Sequence, residues 1–309
     1  MFATTWGDDM STSITSVQSS SLNREKLRKA DNRERLTLQS LTLPGIALLV
    51  SVVLLPIGVM LYLSFVGESG SFSFENYTRL WTSPIYGEVF DMTFRVAFVT
   101  TVLVAIIGYP LAYVLAHLPA RLQNWVLFSV LLPFWTPVLV RTYAWLVLLQ
   151  DHGLINDGLQ GLGLISQPAE LAHNMTGALI GMVQIMLPFL VLPLFASMKA
   201  IDLNLMAAAS NLGAKPTRAF WDVFFPLSLP GFLAGILIVF VLCLGFYVTP
   251  AVLGGGRVIM AAMRIEANVH TYTNWGAASS LAIVLLVITV LLILVATLIG
   301  RRAGRGMFL

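Results

Sequence analysis

An arginine, Arg141, lies in one of the most apolar stretches of the chain, between PFWTPVLV and TYAWLVLL. An ionisable group at bilayer depth costs about 2.5 to 3.5 kcal/mol on insertion scales, so it usually faces a cavity or a partner rather than lipid. Pro133 and Pro137, just upstream, remove backbone hydrogen bonds and bend a helix, which frees carbonyls that could line a passage. Trp135, Tyr143 and Tyr247 add aromatic faces, each able to attract an amine with about 0.5 to 2 kcal/mol. These four residues, Trp135, Arg141, Tyr143 and Tyr247, are the candidate lining of a translocation path. The other reading of Arg141 is snorkelling toward an interface beside Tyr143 and Trp145. No chemistry of bond making is expected. The nucleotide loop GxxxxGK[ST], HExxH and GxSxG are absent, and His117, His152, His173 and His270 are scattered over loops and span ends. With one cysteine, Cys243, there is no disulfide framework or cysteine metal site, so neither catalytic residues nor metal ligands are assigned.

The elements that must position these residues follow from composition. Residues of the hydrophobic set make up 57% of the 309 and charged residues 11%, values of an integral membrane protein rather than a soluble domain. Six apolar segments approach the ~20 residues that a spanning helix needs: 43–66, 93–115, 125–149, 178–196, 231–250 and 277–299. Pro110, Pro188, Pro193 and Pro250 are expected to break or end several of them, as in helices that rock around a pathway. Residues 1–42, rich in Ser, Thr and charge, form an arm without a core, 43–302 a single membrane domain, and 303–309 a tail. The run after the arm is too long for a cleavable signal and reads as a retained anchor.

Orientation follows from the basic residues. Those of the arm (Arg24, Lys26, Arg28, Lys29, Arg33, Arg35), Arg121, Lys199, Lys215 and Arg218, and Arg301, Arg302 and Arg305 occupy alternate segments, whereas the opposite set holds only Arg79, Arg257 and Arg264. The positive-inside rule therefore places both termini in the cytoplasm, and three long, aromatic-bearing loops outside. No nucleic-acid partner is expected; the bilayer itself is the first partner.

The stretch from Leu203 to Pro230 is a polar island on the cytoplasmic side of this topology. Leu203, Met206 and Ala207 share a helical stripe, Ala207, Ala208 and Ala209 let another backbone come close, and Gly213 stands where a helix would end in the left-handed conformation. Pro216, suited to a first helical turn, follows. The island therefore reads as helix, sharp turn, helix, with a partner-facing role.

The same residues resemble the "EAA" loop of bacterial ABC importer permeases, with Ala207, Ala208, Ala209, Gly213 and Pro226 at the corresponding places and Ala207 where the usual glutamate stands. NYTRL from Asn76, PFWTPVLVRTYAW from Pro133, GLIN from Gly153, YVTPAVLGGG from Tyr247 and NWGAASSLAIVL from Asn274 are similar to the PotB/PotH family of spermidine/putrescine permeases. The resemblance implies an all-α, six-helix permease of the type I importer (MetI-like) fold. It implies a second permease of the PotC/PotI kind, a homodimeric ATPase that binds the ATP and Mg, and a periplasmic solute-binding protein, with no cofactor on this chain and no enzymatic activity of its own. It also implies that 200–230 is a coupling loop, its contacts with the ATPase made by Leu205, Met206, Ala207, Ala208, Ala209, Asn211, Leu212, Gly213, Ala214, Lys215 and Arg218. The missing glutamate removes one polar contact and leaves the shape of the loop.

Charge within the spans speaks about the cargo. Asp91, Asp151, Asp157, Glu170 and Glu266 fall at span ends or in loops, so no central carboxylate awaits a polycation, and an Arg141 facing the path would repel one. Either Arg141 points away from the path, or the cargo is anionic or zwitterionic, or selection rests with the binding protein; the resemblance itself also allows another small amine or an opine as cargo. A secondary transporter driven by an ion gradient would need intramembrane carboxylates or a doubled repeat, and the sequence shows neither.

Overall fold

The structure, a computed structural model, describes residues 40, 42–67 and 70–306; side chains at 203 and from 299 onward are not described. The expected arm, apart from residues 40 and 42, and positions 307–309 of the expected tail lie outside the described residues. The chain divides into two units, Met1–Val59 and Met60–Leu309. In the first, the described backbone is helical from Thr42 onward, part of α1 (Thr42–Ser64), whose Leu and Val side chains suit hydrocarbon on every side.

In the second unit, a short α2 (Glu75–Thr82) leads into α3 (Pro84–His117), which starts with a proline in its first turn, where no amide donor is needed. Next come α4 (Ala120–Leu131), a 3₁₀ turn (Leu132–Trp135), α5 (Val138–Leu149) and α6 (Leu154–Gly161). α7 (Met175–Lys199) begins at an Asn174 cap, whose side chain accepts a hydrogen bond from the Gly177 amide at 3.0 Å. The island supplies α8 (Leu203–Asn211) and α9 (Pro216–Ala219). A π-helical turn (Phe220–Phe224) carries α9 without a break into α10 (Phe225–Leu244). Two short helices, α11 (Val248–Leu253) and α12 (Ala261–His270), precede the long α13 (Trp275–Gly306). Among the described residues the β-structure is limited to one isolated bridge, Val66 with Phe72.

Among the described residues five helices are long and apolar enough to cross a membrane, and a bent pair, Ala120–Trp135 with Val138–Gly161, brings the number to six when it is taken as one span. The pair turns through 101°, the bend expected of Pro133 and Pro137. Thr136 is extended (ψ 135°), as a residue before proline tends to be, and Pro137 caps α5. The remaining prolines depart from expectation. α3 continues through Pro110, and α7 through Pro188 and Pro193. The fifth span also begins earlier than expected, at Pro216, and ends at Leu244, so that Tyr247 and Pro250 lie outside it. Its 29 residues rise about 44 Å, more than a ~30 Å hydrocarbon core, so its polar first turns can project beyond the membrane.

The core is built where α3, α7 and α10 meet, around Val96, Val104, Met182, Met186, Leu190, Val239 and Cys243, all buried. Gly235 makes the close approach possible: a Cβ there would stand 2.7 Å from Leu190 Cδ1 and 3.2 Å from its Cα. The same packing explains the continuity of α7, since Pro188 is buried within it and neighbouring helices support the segment where its backbone bond is missing.

Candidate functional site

The island is built as its residues dictate. Asp202 caps α8, its carboxylate accepting from the Asn204 amide at 2.9 Å. The helix ends as the amides of Leu212, Gly213 and Ala214 return to the carbonyls of Ala208, Ser210 and Ala209 at 3.0 to 3.1 Å. Gly213 has φ +85°, the left-handed conformation that a side chain would strain. Lys215 then caps α9, with Pro216 in its first turn.

What this helix–turn–helix offers to its surroundings is two leucines and small residues, with polar groups between them. Leu212 is 89% exposed and Leu205 45%, while Ala207, Ala208, Asn211, Gly213 and Lys215 are also exposed and Ala209 and Ala214 half-buried. Met206 turns the other way and packs with Phe220, Phe224 and Leu194. Arg218 reaches Asp222 at 3.1 Å, an exposed pair that contributes little. Exposed leucines on a capped, rigid tip form a surface for a partner.

Behind the tip lies an aromatic wedge that sequence reasoning missed. Phe220 and Phe224 stack at 5.8 Å on the π turn. Tyr113 meets both edge-on, at 5.5 and 5.2 Å, and His117 lies over Tyr113 at 4.3 Å. Tyr109 packs edge-on against Phe232 at 5.3 Å, and its hydroxyl shares a 2.8 Å hydrogen bond with Ser228. Offset and edge-to-face ring pairs add about 0.5 to 1.5 kcal/mol each beyond burial, so the wedge ties the start of α10 firmly to α3. Its sequence signal was present: Tyr109, Tyr113 and His117 recur every four residues, as do Phe220 and Phe224.

The four path candidates do not share one face. Val138, Arg141, Thr142, Trp145 and Leu149 form the packed stripe of α5, and Arg141 is half-buried there, its Nε buried without a hydrogen-bond partner. Thr142 meets Thr249 of α11 at 3.2 Å, hydroxyl to hydroxyl. Tyr143 lies across the helix, exposed with Leu139, Val140 and Val147. Trp135 stands at the bend, 84% exposed, and Tyr247 precedes α11 at the margin of exposure. The structure thus brings Arg141 against the body of the protein and leaves Trp135 and Tyr143 open.

At the end of the bundle remote from α8, Gln150, Asp151, His152, Glu170, His173 and Arg257 line an open cleft of about 480 Å³, with Arg257 and Glu170 3.9 Å apart. Among the described residues no cluster of His, Cys, Asp and Glu is arranged to hold a metal ion.

Residues 108–307, which include the island, match the family model of the binding-protein-dependent transport system inner membrane component. The spermidine/putrescine transport system permease protein PotB of Haemophilus influenzae is 33% identical over 253 residues, covering 80% of this chain and 88% of that protein. PotB of Escherichia coli is 33% identical over 224 residues, covering 72% and 81%. Among solved structures, a bacterial ABC transporter involved in the import of the acidic polysaccharide alginate superposes with a TM-score of 0.70 at 16% identity, covering 90% of this chain and 99% of that one. The same kind of transporter in complex with its alginate pentasaccharide-bound periplasmic protein gives 0.71, covering 88% and 96%.

Proposed function

Since this chain belongs to the family of binding-protein-dependent transport system inner membrane components and is a permease subunit of an ABC importer, we propose that its cargo is a polyamine of the spermidine/putrescine class. The observation that carries the cargo is the 33% identity to PotB over four fifths of the chain. The place of Arg141 supports it. On the packed stripe of α5, its charge sits away from the open face of Trp135 and Tyr143, whose rings can hold an ammonium group. An anionic or zwitterionic solute is the second reading, favoured by the unpartnered Nε of Arg141.

The remaining parts follow from the same reading. Both termini and the α8–α9 tip face the cytoplasm, and Leu205 to Gly213 sit in a groove of a homodimeric ATPase, which holds the ATP and Mg. A second permease of the PotC/PotI kind completes the path, and a periplasmic solute-binding protein delivers cargo to the far end. ATP closes the ATPase dimer, the tip moves with it, and the aromatic wedge passes the motion to α3 and α10. The spans then open outward, because ATP binding favours that state over the inward-open one. No proton or electron changes hands in this chain.

Uptake by proteoliposomes containing the complete importer is the test. Labelled spermidine or putrescine should accumulate only with ATP and the binding protein. ATP-driven uptake of an anionic solute in place of either polyamine would overturn the cargo.

A further inference from the structure

The far end of the bundle holds an arginine with an unusual setting. Arg264, on α12, has its guanidinium carbon 5.9 Å from the ring centre of Tyr86 and 5.2 Å from that of Tyr272. Tyr86 is buried in the first turn of α3, and Tyr272 follows α12. The clamp is held at a cost: Thr273, next to Tyr272, has φ +50°, which a β-branched residue rarely adopts. Asn274 anchors the turn, its amide donating to the Asn268 carbonyl at 2.8 Å and its side chain accepting from Ala277 at 2.9 Å.

Arg264 nevertheless has no counter-charge among the described residues. Arg79, Arg95 and Arg257 at this end each reach a carboxylate, Glu75, Asp91 and Glu170, at 3.2, 2.9 and 3.9 Å. Among the described residues none stands within 4.0 Å of half-buried Arg264. Its Nε is buried and unpartnered, and so is Nδ2 of Asn268, one helical turn on and only 3% exposed. The site therefore joins a cation without an anionic partner among the described residues, an amide with a spare donor and two aromatic walls. An arginine immobilised before contact loses little entropy on binding, the setting of an interface hot spot.

We infer that Arg264 receives an Asp or Glu carboxylate from the solute-binding protein, and that the Tyr86–Tyr272 clamp holds it ready for that contact. The inference rests on the importer reading, which puts this end outside the membrane and the binding protein against it. A carboxylate supplies what the site lacks, since its two oxygens match the forked donors of a guanidinium.

The importer, assembled with its second permease and ATPase in nanodiscs of zwitterionic lipid, should bind cargo-loaded binding protein with an affinity that falls as salt rises. Arg264→Glu should weaken binding about thirtyfold or more, the scale of losing one partner of a desolvated charge pair. Arg264→Gln should weaken it about tenfold and serves if the charge reversal does not assemble. Reversing one acidic residue on the docking face of the binding protein should restore affinity to Arg264→Glu. Unchanged affinity in both variants overturns the inference and leaves the importer reading standing. A wild-type importer that never binds the protein overturns both. A loss seen only in nanodiscs with anionic lipid also overturns it, by assigning the site to a lipid phosphate.

Discussion

The two ends of the bundle address their surroundings by different physics. At the α8 end two leucines and two alanines of a glycine-terminated helix are exposed among the small polar residues Asn204, Ser210 and Asn211, and the nearby ion pair, Arg218 with Asp222, is exposed. At the opposite end charged and aromatic groups gather around the Arg257 cleft and the Arg264 clamp, beside the exposed leucines of α6 and its loop. A surface that must stay engaged while it moves gains from shape, because apolar contact has no preferred direction and is indifferent to salt. A surface that must choose and release a partner gains from charge, which steers encounters and penalises wrong ones. The difference therefore assigns permanence to one end and turnover to the other.

The sharpest way to break this contrast is to destroy shape at the α8 end while leaving charge alone. Gly213→Pro removes the left-handed turn and should lower ATP-driven uptake by about a hundredfold while the chain still inserts, since proline cannot adopt a positive φ. Normal uptake by that variant would refute the coupling assignment. Leu212→Asp puts a charge on the apolar tip and should weaken ATPase association about tenfold, the scale of about 1.4 kcal/mol, in a pull-down quantified against wild type. Equal recovery of the ATPase would show that the tip is not in the groove. Ala207→Glu is the smallest change: Ala207 is exposed, so the larger side chain fits, and ATPase affinity should shift by about twofold or less, as for a surface ion pair. A tenfold gain there would mean that charge matters at this end after all, and the contrast would fail.

Much of the candidate site was legible because its signals are local. Gly213 and Pro216 define a turn through their own backbone limits, and Pro133 and Pro137 define a bend in the same way. What was not legible depends on neighbours distant in sequence. Pro188 carries the same breaking tendency as Pro137, yet α7 continues through it, because Pro188 is buried whereas the bent pair is largely exposed. The fifth span was expected to begin at Gly231, since Arg218 and Asp222 read as too polar for it. In the fold these residues pair with each other four apart, and the helix continues. Tyr86 and Arg264 are far apart along the chain, and nothing in either segment announces their meeting. The short helix α12, expected only as loop, and α11, which straddles the expected end of the fifth span, are likewise stabilised by contacts elsewhere, such as the Ala261 amide donating to Thr93 at 2.8 Å.

The π turn at Phe220–Phe224 has a consequence for mutation by counting rather than by chemistry. A π turn closes its hydrogen bonds over one more residue than an α turn does, so the chain carries a supernumerary residue just before α10. Deleting one residue there would let the turn relax to regular helix and leave the upstream bearing about unchanged, because the wide turn already absorbs the extra residue, whereas deleting one from the regular part of α10 would rotate everything upstream by about 100° about its axis. The leucine tip would then face another way, although no residue in the tip had changed. Frame length between tip and membrane, more than the identity of any one side chain, sets the compass bearing of this subunit.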